Sequence, residues 1–245
     1  MRLFLEIAYD GTDFSGWQIQ KNAMTVQETV NDSLSMLLRA PIETIGCGRT
    51  DAGVHASQFF LHFDIEELAW SLADFVFKLN GILPKSISAK KATSVPEGSH
   101  TRFDASARSY SYCIHRFKDP FKWQFSAFVR FDLNVDLMNE ACALLILEKD
   151  FAAFCKAGSD IKTTLCDVRH AQWIVEKDTL RFDITADRFL RNMVRAIVGT
   201  TIDLGRGYID LDQFKEILKS KERSKASASA DACGLFLTKV EYPFL

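Results

Sequence analysis

The sequence is organised around the stretch Gly46-Cys47-Gly48-Arg49-Thr50-Asp51-Ala52-Gly53-Val54-His55-Ala56, which lies between two runs with strand character. Small residues let the backbone turn tightly and let a ligand approach it closely. The carboxylate of Asp51 is therefore placed where it can meet a molecule from outside the protein. In an extended segment Arg49 lies on the same face, where its guanidinium would keep the carboxylate ionised. These residues alone leave two interpretations open, a catalytic carboxylate or a glycine-rich turn with a surface Asp–Arg pair.

Length and composition are those of an ordinary globular protein. The chain has 245 residues, which fits one large domain or two small ones. Its apolar fraction of 47% supports a substantial core, and its net charge of -2 does not indicate a nucleic-acid binder. If RNA is the substrate, the basic residues must be gathered on one face.

The cysteines and the apolar segments exclude several classes of protein. The six cysteines include no Cys-x-x-Cys pair, so no structural zinc is expected. Residues 1–6 carry an acid within an apolar run and lack a cleavage site, so no signal peptide is expected. No apolar stretch approaches membrane-spanning length. These features predict a cytoplasmic protein with reduced thiols.

Periodicity predicts an α+β fold for the first part of the chain. Alternating apolar residues predict a strand at residues 3–9, and Thr25 and Glu28 form a capping-box pattern before a helical stripe at residues 26–38. Further strands are predicted at residues 42–47 and 58–63, and a helix at 68–79 that ends at Asn80-Gly81. The turn at residues 95–99 marks a predicted boundary between a domain of residues 1–98 and a domain of residues 99–245.

The second part repeats the mixture of strands and helices. Alternation in the strand of residues 107–116 places Arg108, Tyr110 and Tyr112 on one face, and a hairpin follows at residues 168–186. A helix is predicted from Phe189 to Gly199, with Arg188, Arg191 and Arg195 as a basic stripe beside its apolar face. Such a stripe is either a solvated helix face or a functional surface. The Ala–Ser segment, residues 226–230, is predicted to be a linker.

Several of these segments resemble one family. Residues 48–55, Gly-Arg-Thr-Asp-Ala-Gly-Val-His, are similar to the signature of the tRNA pseudouridine synthase A family, bacterial enzymes that modify the anticodon stem-loop. Further similar segments extend from Tyr9 to Pro243. They include Tyr9-Asp10-Gly11 with Gly16-Trp17-Gln18, Arg102-Phe103 with Ala107-Arg108-x-Tyr110-x-Tyr112, Phe189 to Gly199, and Gly234-Leu235-Phe236-Leu237.

The resemblance implies a fold and a set of site residues. It implies two α+β domains whose antiparallel sheets join into an extended sheet, with a catalytic cleft between them. It makes Asp51 the catalytic nucleophile, with Arg49 beside it and Arg195 as its ion-pair partner. It gives Tyr110 the role of stacking on the target base and moving a proton, and it places Leu235 in the lining of the active site.

Three further residues are candidates for contact with RNA. Phe14 and Trp17 lie in a turn-rich loop, where aromatic rings either stack on bases or fill the core beneath the loop. Arg191 is flanked by Asn192 and is expected to face solvent or a phosphate.

The function implied by the resemblance is isomerisation of uridine to pseudouridine at tRNA positions thirty-eight to forty. The expected partners are tRNA and a second copy of the chain in a homodimer, with no metal, nucleotide cofactor or membrane. Two alternatives from other classes are a glycoside-type hydrolase, which would need a second carboxylate, and an RNA-binding protein without catalysis.

Overall fold

The computed structural model describes residues 1–158 and 162–245. The chain forms two compact units, one of residues 1–106 with 237–245 and one of residues 107–236. The boundary predicted between residues 98 and 99 lies shortly before this division. Residues 237–245, at the end of the chain, belong to the first unit. The predicted division into two consecutive segments placed them in the second domain instead.

The first unit contains a sheet with two helices. Its strands run in the order β4-β1-β3-β9, β1 is antiparallel to both of its neighbours, and β2 pairs with β3. The elements are β1 (Arg2–Tyr9), α1 (Val26–Leu38), β2 (Ile45–Gly46), β3 (His55–Asp64), α2 (Leu72–Asn80), β4 (Ile87–Val95) and β9 (Leu235–Glu241), the last beginning at the end of the second unit.

Local signals set the ends of the two helices, with some differences from expectation. Thr25 caps α1 by accepting a hydrogen bond from the Glu28 amide at 3.4 Å, so only this half of the predicted capping box is found. Helix α2 begins after Ser71 rather than at residue 68, because the Ser71 side chain accepts from the Asp74 amide at 3.1 Å. Gly81 caps α2 in a right-handed conformation, with a φ of -74°.

The second unit contains three further antiparallel strands. Its strands run in the order β5-β8-β7, and the short β6 pairs with β5 in parallel. Helix α3 packs against β7 and against α4 and α5. The elements are β5 (Ala107–His115), β6 (Ala127–Phe128), α3 (Val135–Leu147), β7 (Val168–Glu176), β8 (Thr179–Ala186), α4 (Met193–Gly205) and α5 (Leu211–Ser220).

The α+β class is confirmed, and several predicted elements begin or end at other residues than expected. The strand predicted at residues 42–47 is reduced to Ile45–Gly46, whereas β3 begins earlier than predicted, at His55. The helix predicted to open at Phe189 begins at Met193 instead, because Asn192 adopts a left-handed φ of 65°. Arg188 and Arg191 therefore precede the helix, and the predicted basic helical stripe is wrong. Within the described residues, no helix is long and apolar enough to cross a membrane.

Candidate active site

Candidate site residues occur in both units, and those of each unit are described separately. In the first unit, Asp51 lies in the loop of residues 47–54 between β2 and β3. This Asp51 loop is held against the first loop, residues 10–18. The amide of Trp17 donates to the Thr50 carbonyl and the amide of Gly53 donates to the Phe14 carbonyl, each at 3.2 Å. The loop that carries the carboxylate is thus fixed on both sides of Asp51.

Buried side chains reinforce this contact between the loops. The hydroxyls of Tyr9 and Thr50 are hydrogen-bonded at 2.8 Å in a buried position. The Gly11 amide donates to Nδ1 of His55 at 3.1 Å, and His55 is itself buried. The Thr and His of the eight-residue signature therefore anchor the loop to β1 and to the first loop, while the Asp between them stays half-buried.

Two glycines of the first loop allow the close approach. A Cβ atom on Gly11 would lie 2.0 Å from the Val54 carbonyl oxygen, and one on Gly16 would lie 2.5 Å from the Thr50 oxygen. Gly16 also has a φ of +93°, a conformation that L side chains rarely adopt. The Tyr-Asp-Gly and Gly-Trp-Gln segments thus form a support that fits the Asp51 loop only when both glycines are present.

The aromatic side chains of the first loop are in the core. Phe14 is 4% exposed and Trp17 is 1% exposed. The Trp17 ring packs on Phe59, with ring centroids 4.2 Å apart. This burial favours the core interpretation and argues against base stacking by either ring. Arg49, in contrast, is exposed and lines a cavity of about 180 Å³ together with Gly48 and Arg102.

In the second unit, Tyr110 and Tyr112 on β5 have different surroundings. Tyr112 is 1% exposed and its hydroxyl donates to the Asp231 carbonyl at 2.9 Å. Burial raises the pKa of Tyr112 far above its usual range. Tyr110 is half-buried, and its ring meets Phe189 edge to face with centroids 5.1 Å apart. Of the two tyrosines, Tyr110 is the one that is partly exposed.

Arg191 and Arg195 also differ. Arg195 is half-buried on α4, and its Nε donates to the Ala230 carbonyl at 2.7 Å, while the Ala230 amide donates to the Arg195 carbonyl at 2.9 Å. Arg191 is exposed. Leu235, at the start of β9, is 5% exposed. The structure therefore fixes Arg195 by two hydrogen bonds to one residue.

The Ala–Ser segment is not a linker, and that prediction is wrong. The Ser227 amide donates to the Thr200 hydroxyl at 3.2 Å, and the Asn192 side chain donates to the Ser229 hydroxyl at 2.6 Å. A Cβ atom on Gly199 would lie only 1.9 Å from the Ala228 carbonyl oxygen. The segment packs directly on α4 and supplies the carbonyl that orients Arg195. In a sequence, a run of small residues suggests a flexible segment, whereas in this structure the small residues allow close packing.

Comparisons with known proteins agree with the motifs. A family model described as tRNA pseudouridine synthase matches residues 7–104 and 141–243. The chain belongs to the tRNA pseudouridine synthase family. Among curated members of this family, the tRNA pseudouridine synthase A of Parabacteroides distasonis is 45% identical over 242 residues, covering 99% of this chain and 96% of that protein.

Two more relatives carry the same name. The protein of Bacteroides fragilis is 46% identical over 243 residues, covering 99% of this chain and 96% of its own. The protein of Bacillus subtilis is 37% identical over 246 residues and 99% of each chain. The similarity thus extends over both units and through all the segments that hold candidate site residues.

Proposed function

We propose that this protein isomerises uridine to pseudouridine at positions thirty-eight to forty in the anticodon stem-loop of tRNA, with Asp51 as the catalytic carboxylate. The observation that carries the proposal is the Asp51 loop. Its signature residues are anchored by buried hydrogen bonds to Tyr9 and Gly11, and Asp51 itself is left half-buried between them.

The reaction rearranges bonds within one nucleotide. The bond from the sugar to N1 of uracil breaks, the base rotates, and a new bond joins the sugar to C5. The proton of C5 leaves and N1 gains a proton, so atoms balance and nothing is oxidised or reduced. An ionised carboxylate is the only nucleophile that the reaction needs, and it engages either the sugar or the pyrimidine ring. No metal or nucleotide cofactor takes part in the proposed reaction.

The remaining site residues have distinct proposed roles. Arg195 pairs with Asp51 and holds its carboxylate ionised, a role that suits a guanidinium already oriented by Ala230. Arg49, two residues before Asp51 in the same loop, supports the same carboxylate. Tyr110 stacks on the target base and moves a proton, and Leu235 covers the base. Arg191, being exposed, contacts a phosphate.

The target nucleotide must leave the stem before it can react. Its glycosidic bond is inaccessible inside a stacked helix, and flipping it out costs a few kcal/mol. Stacking on Tyr110 and contact with Leu235 would offset that cost. We further propose that the protein acts as a cytoplasmic homodimer, in which basic residues gathered on one face bind tRNA despite the net charge of -2.

The test is conversion of an anticodon stem-loop RNA under single-turnover conditions. Asp51→Asn should lower conversion by roughly a thousandfold or more, the scale on which loss of one catalytic group acts in other enzymes. Its RNA affinity should change little, because an amide retains the size and polarity of the carboxylate. Asp13→Asn, an exposed residue of the first loop, is the matched control and should convert at the parent rate.

Other outcomes would contradict the proposal. Turnover of Asp51→Asn within about tenfold of the parent would exclude a catalytic Asp51. Release of free uracil would indicate a hydrolase, and tight RNA binding without any conversion by the parent would indicate a binding protein. Loss of activity under exhaustive chelation would show that a metal takes part.

A further inference from the structure

Phe103 presents a rigidly held aromatic face at the surface of the first unit. Its side chain is 74% exposed. The ring lies against the imidazole of His100, with centroids 4.2 Å apart and planes inclined by 34°. The amides of Arg102 and Phe103 both donate to Nδ1 of His100, at 3.1 and 3.3 Å. An exposed ring on an unsupported loop would be mobile. The Phe103 ring instead packs on His100, and its backbone is hydrogen-bonded to the same side chain.

The support continues into the core beside the Asp51 loop. His100 meets buried His62 edge to face at 4.7 Å. The Thr101 amide donates to Nδ1 of His62 at 3.3 Å, and the Thr101 hydroxyl donates to the Ile45 carbonyl at 2.9 Å. Burial lowers the pKa of His100, and that of His62 to about 4, so both rings remain neutral acceptors near neutral pH. The Phe103 platform is therefore anchored to β2, the strand that leads into the Asp51 loop.

A cavity adjoins this platform. It has a volume of about 180 Å³, and Arg102, which precedes Phe103, lines it together with Gly48 and Arg49. The Arg102 guanidinium also lies 5.8 Å from the centre of the Phe103 ring. None of the lining residues that the structure describes carries a carboxylate. The cavity is thus a small cationic site, and Arg49 lies only two residues from Asp51.

The wall of the cavity is fixed before any ligand arrives. Gln27 donates to the Thr44 carbonyl at 2.7 Å and accepts from the side chain of Gln18 at 2.9 Å. All of these residues line the cavity. A preformed site loses little conformational entropy when it binds its ligand.

We propose that the Phe103 platform and the cavity lined by Arg49 and Arg102 form a subsite for the nucleotide next to the target uridine. The base stacks on Phe103, and the Arg102 guanidinium holds its phosphate, while Arg49 adds positive charge to the cavity. Unpaired RNA is recognised by this combination of an aromatic face and neighbouring cations. This inference rests on the proposed function, because it takes Asp51 as the position of the target.

The experiment uses an anticodon stem-loop RNA in which 2-aminopurine replaces the nucleotide on the 5′ or the 3′ side of the target uridine. Stacking on Phe103 should quench the fluorescence of one of the two probes when the parent protein binds. Phe103→Leu should remove that quenching and weaken RNA binding by about tenfold, the typical effect of losing one stacked base. Phe103→Trp should restore both signals.

Two further variants distinguish stacking on Phe103 from the loss of any exposed aromatic ring and from the phosphate contact. Phe77→Leu on α2 is the matched control, because Phe77 is also exposed, at 80%, and is not one of the residues that line the cavity. It should leave quenching and affinity unchanged. Arg102→Met should weaken binding and reduce the slope of log affinity against log salt by about one unit, as expected for one lost phosphate contact.

The outcomes distinguish this subsite from the proposed function. If the parent forms pseudouridine but Phe103→Leu binds and quenches both probes as the parent does, the subsite is excluded and the function stands. If the probe stacks but the parent forms no pseudouridine, the proposed function is excluded; stacking of RNA on Phe103 then stands, but its assignment to the nucleotide beside a target uridine is overturned. A change in oligomeric mass in Phe103→Leu, with unchanged RNA signals, would indicate a protein-docking surface and would also overturn the inference.

Discussion

The Asp51 loop and the Ala–Ser segment are both rich in small residues, but they differ in how well their sequences predict their roles in the structure. Both are irregular segments, and both pack against a glycine. Gly16 accommodates the Thr50 carbonyl oxygen, and Gly199 accommodates the Ala228 carbonyl oxygen. The first run contains a carboxylate, so its sequence indicates a site. The second offers only backbone groups, and its sequence indicates a linker.

The comparison shows that small side chains indicate close approach of two backbones as readily as flexibility. In the Ala–Ser segment the functional group is a main-chain carbonyl, that of Ala230, which accepts a hydrogen bond from Arg195. A carbonyl carries no sequence signal. Its role becomes visible only when the residue it orients is seen beside it.

Among the variants that test this comparison, the largest effect is expected from disturbing the support of the Asp51 loop. In Gly16→Ala the new methyl group would collide with the Thr50 carbonyl and strain a backbone with a φ of +93°. A displacement of about 1 Å at a catalytic group can cost on the order of a hundredfold in rate. We expect single-turnover conversion to fall on this scale, with tRNA affinity nearly unchanged.

Gly98→Ala is the control for this variant, because the structure places nothing within 4 Å of a Cβ at Gly98. It should retain the parent rate and melting temperature. A Gly16→Ala protein with the parent's rate would show that the Asp51 loop does not depend on the first loop for its position.

A smaller effect is expected from the arginine that the Ala–Ser segment orients. Arg195→Met should lower the single-turnover rate by roughly tenfold to a hundredfold, because a hydrogen bond between charged groups contributes about 1.5–3 kcal/mol. Its tRNA affinity should change little. Arg191→Met should do the reverse, with weaker binding and a salt slope reduced by about one unit. The two variants are to be compared by single-turnover rate and by affinity at several salt concentrations.

Weaker binding alone in Arg195→Met would contradict its assignment as the partner of Asp51. An unchanged salt slope in Arg191→Met would contradict a phosphate contact there. Both variants should keep the parent's melting temperature within a few degrees, so that a folding defect is distinguished from either result.

The smallest effect should come from Gly199→Ala, which tests the Ala–Ser segment directly. The added methyl group would lie 1.9 Å from the Ala228 carbonyl oxygen, so the segment must move away from α4. Such overpacking typically costs about 1–3 kcal/mol of stability, equivalent to a fall in melting temperature of several degrees. We also expect a decrease of a few-fold in the single-turnover rate, because the carbonyl that orients Arg195 would shift. An unchanged melting temperature would show that the segment behaves as the linker that its sequence suggests.

Much of the fold was accessible from the sequence because its signals are local. The alternation of Leu3, Leu5 and Ile7 predicts β1, and all three side chains are fully buried. Asp51 was identified as a candidate because the eight-residue signature around it is specific.

The errors arise where tertiary contacts override local pattern. The apolar spacing of Leu190, Val194 and Ile197 predicts a helix from Phe189, but Asn192 turns the chain into a left-handed conformation and delays the start to Met193. The Ala–Ser segment is held by Arg223 as well as α4, since the Arg223 guanidinium donates to the Ala226 and Ser227 carbonyls at 3.1 and 3.0 Å. Partners that lie elsewhere in the chain leave no signal within the segment itself. The catalytic cleft between the domains stays a prediction.

The central claim is that Asp51, on its glycine-supported loop, forms pseudouridine in the anticodon stem-loop. The most direct test is to map pseudouridine in tRNA from cells that lack this protein and then express either the parent or Asp51→Asn. The account predicts that pseudouridine at positions thirty-eight to forty is lost, returns with the parent, and does not return with an equal amount of Asp51→Asn. Restoration by Asp51→Asn, or an undiminished pseudouridine content at these positions without the protein, would contradict it.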